Sequence, residues 1–80
     1  MLTTQRKDLL RLRLRQVRLD AGLRQSDLAS ALCKQQSYVA KYESGEKSLG
    51  LIEVLDICQV LKYNPQALVR ELMRQTPTRR

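Results

Sequence analysis

Residues 25–45 read QSDLASALCKQQSYVAKYESG, and this stretch contains two segments with helical periodicity. In the first, over residues 25–32, apolar residues recur on one helix face, namely Leu28, Ala29 and Leu32. The second covers residues 36–43 and is followed by Gly45, a residue type that commonly ends helices. Because only residues 33–35 lie between them, the sequence predicts two short helices joined by a tight turn.

A longer amphipathic helix precedes this pair. Its core stripe ends at the stop signal Gly22 and consists of Leu10, Leu14, Val17 and Ala21. Leu12 and Leu19 lie on the opposite side and form a second apolar stripe that needs a partner. We expect the last helix of the same chain to cover this stripe, with a second copy of the chain as the alternative. Arg11 and Arg15 lie on the flank between the stripes and are expected only to solubilise the helix.

Two further helices follow the pair. Apolar residues at helical spacing predict one over residues 51–61, with Gly50 as its N-cap and Glu53 as half of a capping box. Asn64 and Pro65 then give a strong start signal for the last helix, because Asn caps and Pro suits the first helical position. The chain is therefore predicted to be all-α.

Composition limits what the chain can do. Its 80 residues include 15 Lys and Arg against 8 Asp and Glu, and the net charge of +7 favours a polyanionic partner, nucleic acid more often than a membrane. The chain has no His, which excludes imidazole catalysis and His-ligated metal sites. No nucleophile–base set is apparent, so we predict a protein that is not an enzyme and uses no cofactor or metal.

Cysteine usage and hydropathy bear on location. Cys33 and Cys58 form neither a C-x-x-C pair nor a disulfide framework, and we interpret both as buried thiols in a reducing cytoplasm. No apolar run approaches the roughly 20 residues of a membrane span, and no signal peptide is evident. The sequence therefore predicts a cytoplasmic, nucleoid-associated protein with one domain over residues 1–75 and a flexible tail over residues 76–80.

Several stretches carry a resemblance to a known family. They are GLRQSDLA at residues 22–29, QSYVAKYESG at residues 36–45 and LIEVLDI at residues 51–57, followed by Val60-Leu61 and Asn64-Pro65. Together they resemble the Cro/phage-repressor type (Xre-like) helix-turn-helix domains over roughly residues 9–69. The resemblance implies a compact five-helix bundle, a lambda-repressor-like DNA-binding domain, that binds duplex DNA as a symmetric dimer on a palindromic operator.

The same resemblance implies which residues meet DNA. Gln36, Ser37 and Lys41 match positions that read base edges, and their chemistry agrees, since Gln suits adenine, Lys suits guanine and Ser suits several bases. A second set is expected to bind phosphate: Gln25, Lys34, Gln35, Tyr38 and Lys47. Arg18 and Glu43 match a pair that forms a structural salt bridge between the first and third helices.

Three sites depart from the family pattern, and at one of them Leu49 and Gly50 replace the usual Pro or an acidic cap. Arg24 replaces the usual Ser or Thr cap, which removes about 1 kcal/mol of capping from the second helix. Cys33 replaces the usual turn glycine, and a left-handed backbone there costs on the order of 1 kcal/mol. None of these departures removes an expected DNA contact.

The leading hypothesis is a sequence-specific regulator of transcription, a repressor that binds double-stranded DNA as a homodimer. The alternative is an antitoxin, which binds a toxin protein and represses its own operon. A basic helix on a membrane surface is disfavoured by the turn and glycine signals. Both the Leu12 and Leu19 stripe and the last helix are open as the dimer surface.

Overall fold

The computed structural model describes residues 2–75, with side chains over residues 3–74, and within this range the chain forms helices and no strands. The helices are α1 (Leu2–Asp20), α2 (Gln25–Ala31), α3 (Gln36–Ser44), α4 (Leu51–Leu61) and α5 (Pro65–Gln75). The predicted all-α, five-helix architecture is therefore confirmed. The predicted flexible tail at residues 76–80 lies outside the described residues.

All five helices contribute to one core. The fully buried side chains are Leu14 of α1, Leu28 of α2, Val39 and Tyr42 of α3, Ile57 and Cys58 of α4, and Leu68 of α5. In α1, the predicted stripe is buried at Leu14 and Val17, but Ala21 is exposed because the helix ends at Asp20. Apolar burial of this kind, at about 25 cal/mol per Å², is what holds so small a domain together.

Two glycines end helices as the sequence predicts. Gly22 has φ +76° and follows α1, where the Leu23 amide donates to the Arg18 carbonyl at 3.2 Å. Gly45 has φ +89° and caps α3 in the left-handed conformation. The left-handed backbone favours glycine there, and a Cβ would also lie 3.0 Å from Nε of Arg11, so that this side chain would have to shift.

The turn between α2 and α3 differs from the prediction in the helix boundaries and in the exposure of Cys33. α2 ends one residue earlier than predicted, at Ala31, and α3 continues to Ser44. Cys33 has φ +59° and is exposed, so its interpretation as a buried thiol is wrong, whereas Cys58 is buried as predicted. The reason is local, because this left-handed turn residue directs its side chain away from the core.

The start of α2 shows how the chain replaces a missing cap. Arg24 provides no side-chain cap, but the Asp27 carboxylate accepts a hydrogen bond from the Arg24 backbone amide at 2.8 Å. The Arg24 side chain binds the same carboxylate, and these bonds lower the pKa of Asp27. The hydrogen bond from the N-cap backbone amide to the side chain three residues later, which is one of the two bonds of a capping box, thus supplies part of the stabilisation that Ser or Thr would give.

α5 packs beside α1 without closing over its second apolar stripe. Nε of Arg13 binds Oε1 of Glu71 at 2.8 Å, which ties the two helices together. Leu12 and Leu19 remain 49% and 43% exposed, although Leu12 and Leu72 line the same shallow depression. The expectation that α5 covers this stripe is therefore wrong.

Candidate nucleic-acid interface

α3 presents two chemically different sides. Its inward side buries Val39, Tyr42 and Glu43. The residues expected to read bases, Gln36, Ser37 and Lys41, are all exposed. The turn before α3 is short, so α2 lies directly against it and holds it from behind. α3 thus carries a polar outer side on a helix whose inner side is fixed in the core.

A buried ion pair anchors α3 to α1. Nε and Nη2 of Arg18 bind the two carboxylate oxygens of Glu43 at 2.7 and 3.0 Å. The third guanidinium nitrogen, Nη1, donates to the Leu23 carbonyl at 2.7 Å. The hydrogen bonds that Arg18 donates to Glu43 raise the pKa of the Arg18 guanidinium. The carboxylate is therefore neutralised where it would otherwise repel a phosphate backbone.

Gln25 connects this ion pair to the outer side of α3. Its Nε2 donates to Oε1 of Glu43 at 2.9 Å, and its Oε1 accepts a hydrogen bond from Nε2 of Gln36 at 2.6 Å. The Gln25 amide can make both bonds in only one orientation. The orientation of the exposed Gln36 amide is consequently set by a chain of hydrogen bonds that begins inside the protein.

Arg11 has a structural role that the sequence analysis missed. Its Nη1 donates to the Glu43 carbonyl at 2.8 Å, and its Nε donates to Oδ1 of Asp8 at 3.1 Å. Arg11 thereby binds the last turn of α3, so the interpretation as a purely solubilising residue is wrong. The periodicity of α1 gave no signal for this contact, because the acceptor is a backbone carbonyl 32 residues away. Arg15 is half exposed, with Nε 3.9 Å from Oε1 of Glu43.

A second polar group, which we name the Tyr38 cluster, consists of Lys34, Tyr38, Lys47 and Glu53. The Nζ atoms of Lys34 and Lys47 lie 5.2 and 5.6 Å from the centroid of the Tyr38 ring, within cation–π range. The Tyr38 hydroxyl donates to Oε1 of Glu53 at 2.6 Å, and Nζ of Lys47 lies 3.3 Å from the same oxygen. Three residues expected to bind phosphate are thus brought together.

For Glu53, the sequence predicts the capping contact but not the contacts within the Tyr38 cluster. The predicted capping contact exists, with the Gly50 amide donating to Oε2 at 3.4 Å. The other oxygen binds α3 and the following loop, which no local pattern indicates. The hydrogen bond from Tyr38 and the charge of Lys47 lower the pKa of Glu53, while burial and this carboxylate raise the pKa of Tyr38.

Gln35 is the N-cap residue of α3, where its exposed side chain makes no capping hydrogen bond. Among the described residues, no group of acidic, Cys or His side chains could hold a metal ion. In that same part of the chain, no helix has the length and apolar character to cross a membrane.

A pair of short helices joined by a tight turn, with the second carrying an exposed polar side, defines a helix-turn-helix protein. A helix-turn-helix family model of the Cro/C1 type matches residues 14–68, well over half of the chain. The chain belongs to this family, so the resemblance in the sequence is confirmed. It is accordingly a DNA-binding, helix-turn-helix protein of the transcription-regulator type.

Solved structures agree with this assignment. An XRE-family like protein from Pseudomonas syringae pathovar tomato is 37% identical, with a TM-score of 0.82, over 94% of this chain and 90% of that one. A structure of the clp gene regulator ClgR from Corynebacterium glutamicum is 24% identical, with a TM-score of 0.76, over 85% and 72%. A second ClgR structure is 22% identical, with a TM-score of 0.78, over 90% and 92%. The ClgR structures share the fold, and no curated protein sequence matches this chain.

Proposed function

We propose that this protein is a sequence-specific repressor that binds a palindromic operator as a homodimer, acts at the nucleoid in the cytoplasm and catalyses no reaction. The observation that carries the proposal is the outer side of α3, where Gln36, Ser37 and Lys41 are exposed on a helix fixed from behind. A helix of this kind fits the major groove of duplex DNA, where each base pair presents a distinct set of donors and acceptors.

Each base-reading residue has a separate role in this proposal. Gln36 is held by Gln25 with its Nε2 fixed, so its amide enters the groove in a defined orientation and suits adenine. Lys41 donates to guanine, and Ser37 contacts a base edge with its hydroxyl, which suits several bases. Ordered side chains lose less conformational entropy on binding, which favours the role assigned to Gln36.

The phosphate contacts surround this helix. Gln25 is the first residue of α2, and Gln35 directly precedes α3. Lys34 lies on the loop before α3, and Lys47 lies on the loop after it. Tyr38 holds both ammonium groups near its ring. These residues fix the register of the protein on DNA and supply the salt-dependent part of the affinity.

Binding to upstream DNA of its own gene, measured by fluorescence anisotropy over a range of salt, tests the assignment. Lys41→Ala should reduce discrimination between that duplex and a scrambled one by about 1–3 kcal/mol, because a base contact is lost. Lys34→Ala should weaken both duplexes equally and reduce the salt slope by about 1. Arg74→Ala on α5 is the control, since it removes the same charge away from α3.

Equal losses from Lys41→Ala and Lys34→Ala on both duplexes would contradict the division into base and phosphate contacts. Absence of binding to any duplex at low salt would contradict DNA binding itself. A transcription reporter that carries the upstream region separates a repressor from an activator, because only a repressor lowers its output.

The dimer surface proposed here is an apolar patch on α4 and α5, formed by Leu51, Ile52, Leu55, Pro65 and Val69. Leu51 and Ile52 are 69% and 68% exposed, well above Leu12 and Leu19 of α1. Leu55, Pro65 and Val69 line one shallow depression between the two helices. Each copy of the chain carries a net charge of +7, so two copies repel each other electrostatically. This repulsion favours a dimer interface that is apolar and does not include α3.

Sedimentation equilibrium tests this surface. Leu55→Glu should convert the dimer to a monomer and weaken operator binding, because it places two like charges in a symmetric interface. Leu19→Glu is the matched control, an equally exposed leucine on α1, and should leave the dimer intact. Dissociation by Leu19→Glu alone would assign the interface to α1 instead.

The antitoxin alternative uses the exposed leucines of α1, which lie outside the proposed dimer surface, for a different partner. Leu12 and Leu19 on α1 would then meet a toxin protein, and DNA binding by α3 would remain. Co-expression with the product of the neighbouring open reading frame decides between the two functions. A stable complex that Leu19→Glu abolishes would favour the antitoxin.

A further inference from the structure

The carboxylate of Glu53 lies against Tyr38 and Lys47, the residues that are proposed to bind a DNA phosphate. Its Oε1 is bound by the Tyr38 hydroxyl at 2.6 Å and lies 3.3 Å from Nζ of Lys47. A hydroxyl and an ammonium are the donors that a phosphate oxygen also uses. The carboxylate therefore satisfies, within the free protein, two groups expected to bind phosphate.

The contact is accessible to exchange. The side chains of Lys47 and Glu53 are 37% and 36% exposed, so water and salt reach the pair. Ion pairs with this exposure contribute little to stability and are readily rearranged. The Tyr38 cluster holds two ammonium groups and one carboxylate, so one of its two positive charges is already neutralised before DNA arrives.

We propose that Glu53 is an internal competitor for DNA phosphate at Lys47 and Tyr38, and that it limits the affinity of this protein for every duplex. The inference rests on the proposed DNA-binding function and adds to it a residue that opposes binding. A phosphate that reaches Lys47 must displace the carboxylate or lie beside it, and like charges a few ångströms apart repel. Either route lowers the affinity.

Glu53→Gln separates charge from shape. The amide keeps the size and shape of the carboxylate and one acceptor oxygen, which can serve the Gly50 amide, while its NH2 group can donate to the Tyr38 hydroxyl oxygen. The negative charge is lost. We expect about fivefold tighter binding of both upstream and scrambled duplex at low salt, the size of one ion–ion contact in water. We also expect a salt slope steeper by up to about 0.9, because Lys47 becomes available to DNA.

Asp56→Asn is the matched control. Asp56 is an exposed acid on the same helix, whose charge acts on Tyr38 through space, so the substitution changes the net charge equally and leaves the contact of Glu53 with Lys47 in place. An equal gain from Asp56→Asn would mean that overall charge, not competition at Lys47, sets the affinity. In a Lys47→Met background, Glu53→Gln should gain clearly less than in the parent, because the contested cation is gone.

DNA binding by the parent and by Glu53→Gln distinguishes failure of this inference from failure of the proposed function. If the parent binds DNA and Glu53→Gln binds it equally or more weakly, the carboxylate positions Lys47 instead of competing, and the inference fails alone. If Glu53→Gln binds where the parent does not, competition is supported. If neither protein binds any duplex at low salt, both proposals fail. Thermal unfolding confirms that each variant is folded.

Discussion

Glu43 on α3 and Glu53 on α4 both form hydrogen bonds at α3, but their environments differ in almost everything else. The Glu43 side chain is 3% exposed and accepts three hydrogen bonds from Arg18 and Gln25, none longer than 3.0 Å. The Glu53 side chain is 36% exposed and binds one hydroxyl, one ammonium at 3.3 Å and the Gly50 backbone amide at 3.4 Å. The Glu43 carboxylate lies on the buried inner side of α3, and the Glu53 carboxylate of α4 lies at the edge of α3.

The difference separates architecture from binding. A buried charge is tolerated only when its partners are fully in place, so Glu43 constrains how α1, α2 and α3 meet. A half-exposed charge keeps much of its hydration, so Glu53 can change partners at little cost. The position of α3 and its affinity for an anion are thus governed by two carboxylates with separate roles.

Arg18→Ala should have the largest effect on stability. It leaves Glu43 buried without its cation, and the free energy of unfolding should fall by about 3–5 kcal/mol in urea denaturation. Arg15→Ala is the control and should cost about 0.5 kcal/mol or less, because its guanidinium is half exposed and 3.9 Å away.

A double variant sharpens the same prediction. Arg18→Met with Glu43→Leu removes both charges and replaces them with apolar groups of similar size. Its stability should return to within about 2 kcal/mol of the parent, since the penalty arises from an unpaired charge and not from the loss of an attraction. A double variant as unstable as Arg18→Ala would show that the hydrogen bonds themselves dominate.

Tyr42→Phe tests the interior without charge. The Tyr42 hydroxyl is fully buried and has no hydrogen-bond partner among the described residues, and burial raises its pKa. Removal of an unpaired buried hydroxyl should stabilise the fold by about 1 kcal/mol. Differential scanning calorimetry measures the change, and a loss of stability would reveal a partner for this hydroxyl.

Glu53→Gln should have the smallest effect on stability, about 0.5 kcal/mol or less, because screening by solvent weakens its pair with Lys47. Since the pKa of Glu53 is lowered from 4.5 in the fold, its contribution is full above that value and is lost as the pH falls through the lower folded value. Denaturation at several acidic pH values checks this. The variant should lose less stability on acidification than the parent, and an identical pH profile would exclude a contribution from the pair.

The helices of this protein could be predicted because their signals are local. Apolar spacing and the stop residues Gly22 and Gly45 were enough to place them, and α4 begins and ends at the predicted residues. Errors occurred where a boundary depends on one turn, as at Ala21, and where a side chain leaves the core through a left-handed backbone, as at Cys33.

The sequence predicted which residues form the candidate site, but not most of the hydrogen bonds and ion pairs that join them. Resemblance to a family suggested the exposed residues of α3 and the pairing of Arg18 with Glu43, and these two residues are indeed bound in the structure. The contacts of Arg11 with the end of α3 and of Glu53 with Tyr38 join residues distant in sequence. Such contacts follow from tertiary packing, which no periodic pattern encodes.

The hydrogen bond between Gln25 and Gln36 has a consequence for how operator preference can evolve. A change at Gln36 alone would leave the Gln25 carbonyl without its donor, so these two positions are expected to mutate together. Ser37 and Lys41 form no side-chain hydrogen bonds within the described part of the chain, and each can be exchanged singly. Grafting a new target preference onto this scaffold therefore involves one coupled pair and two independent positions.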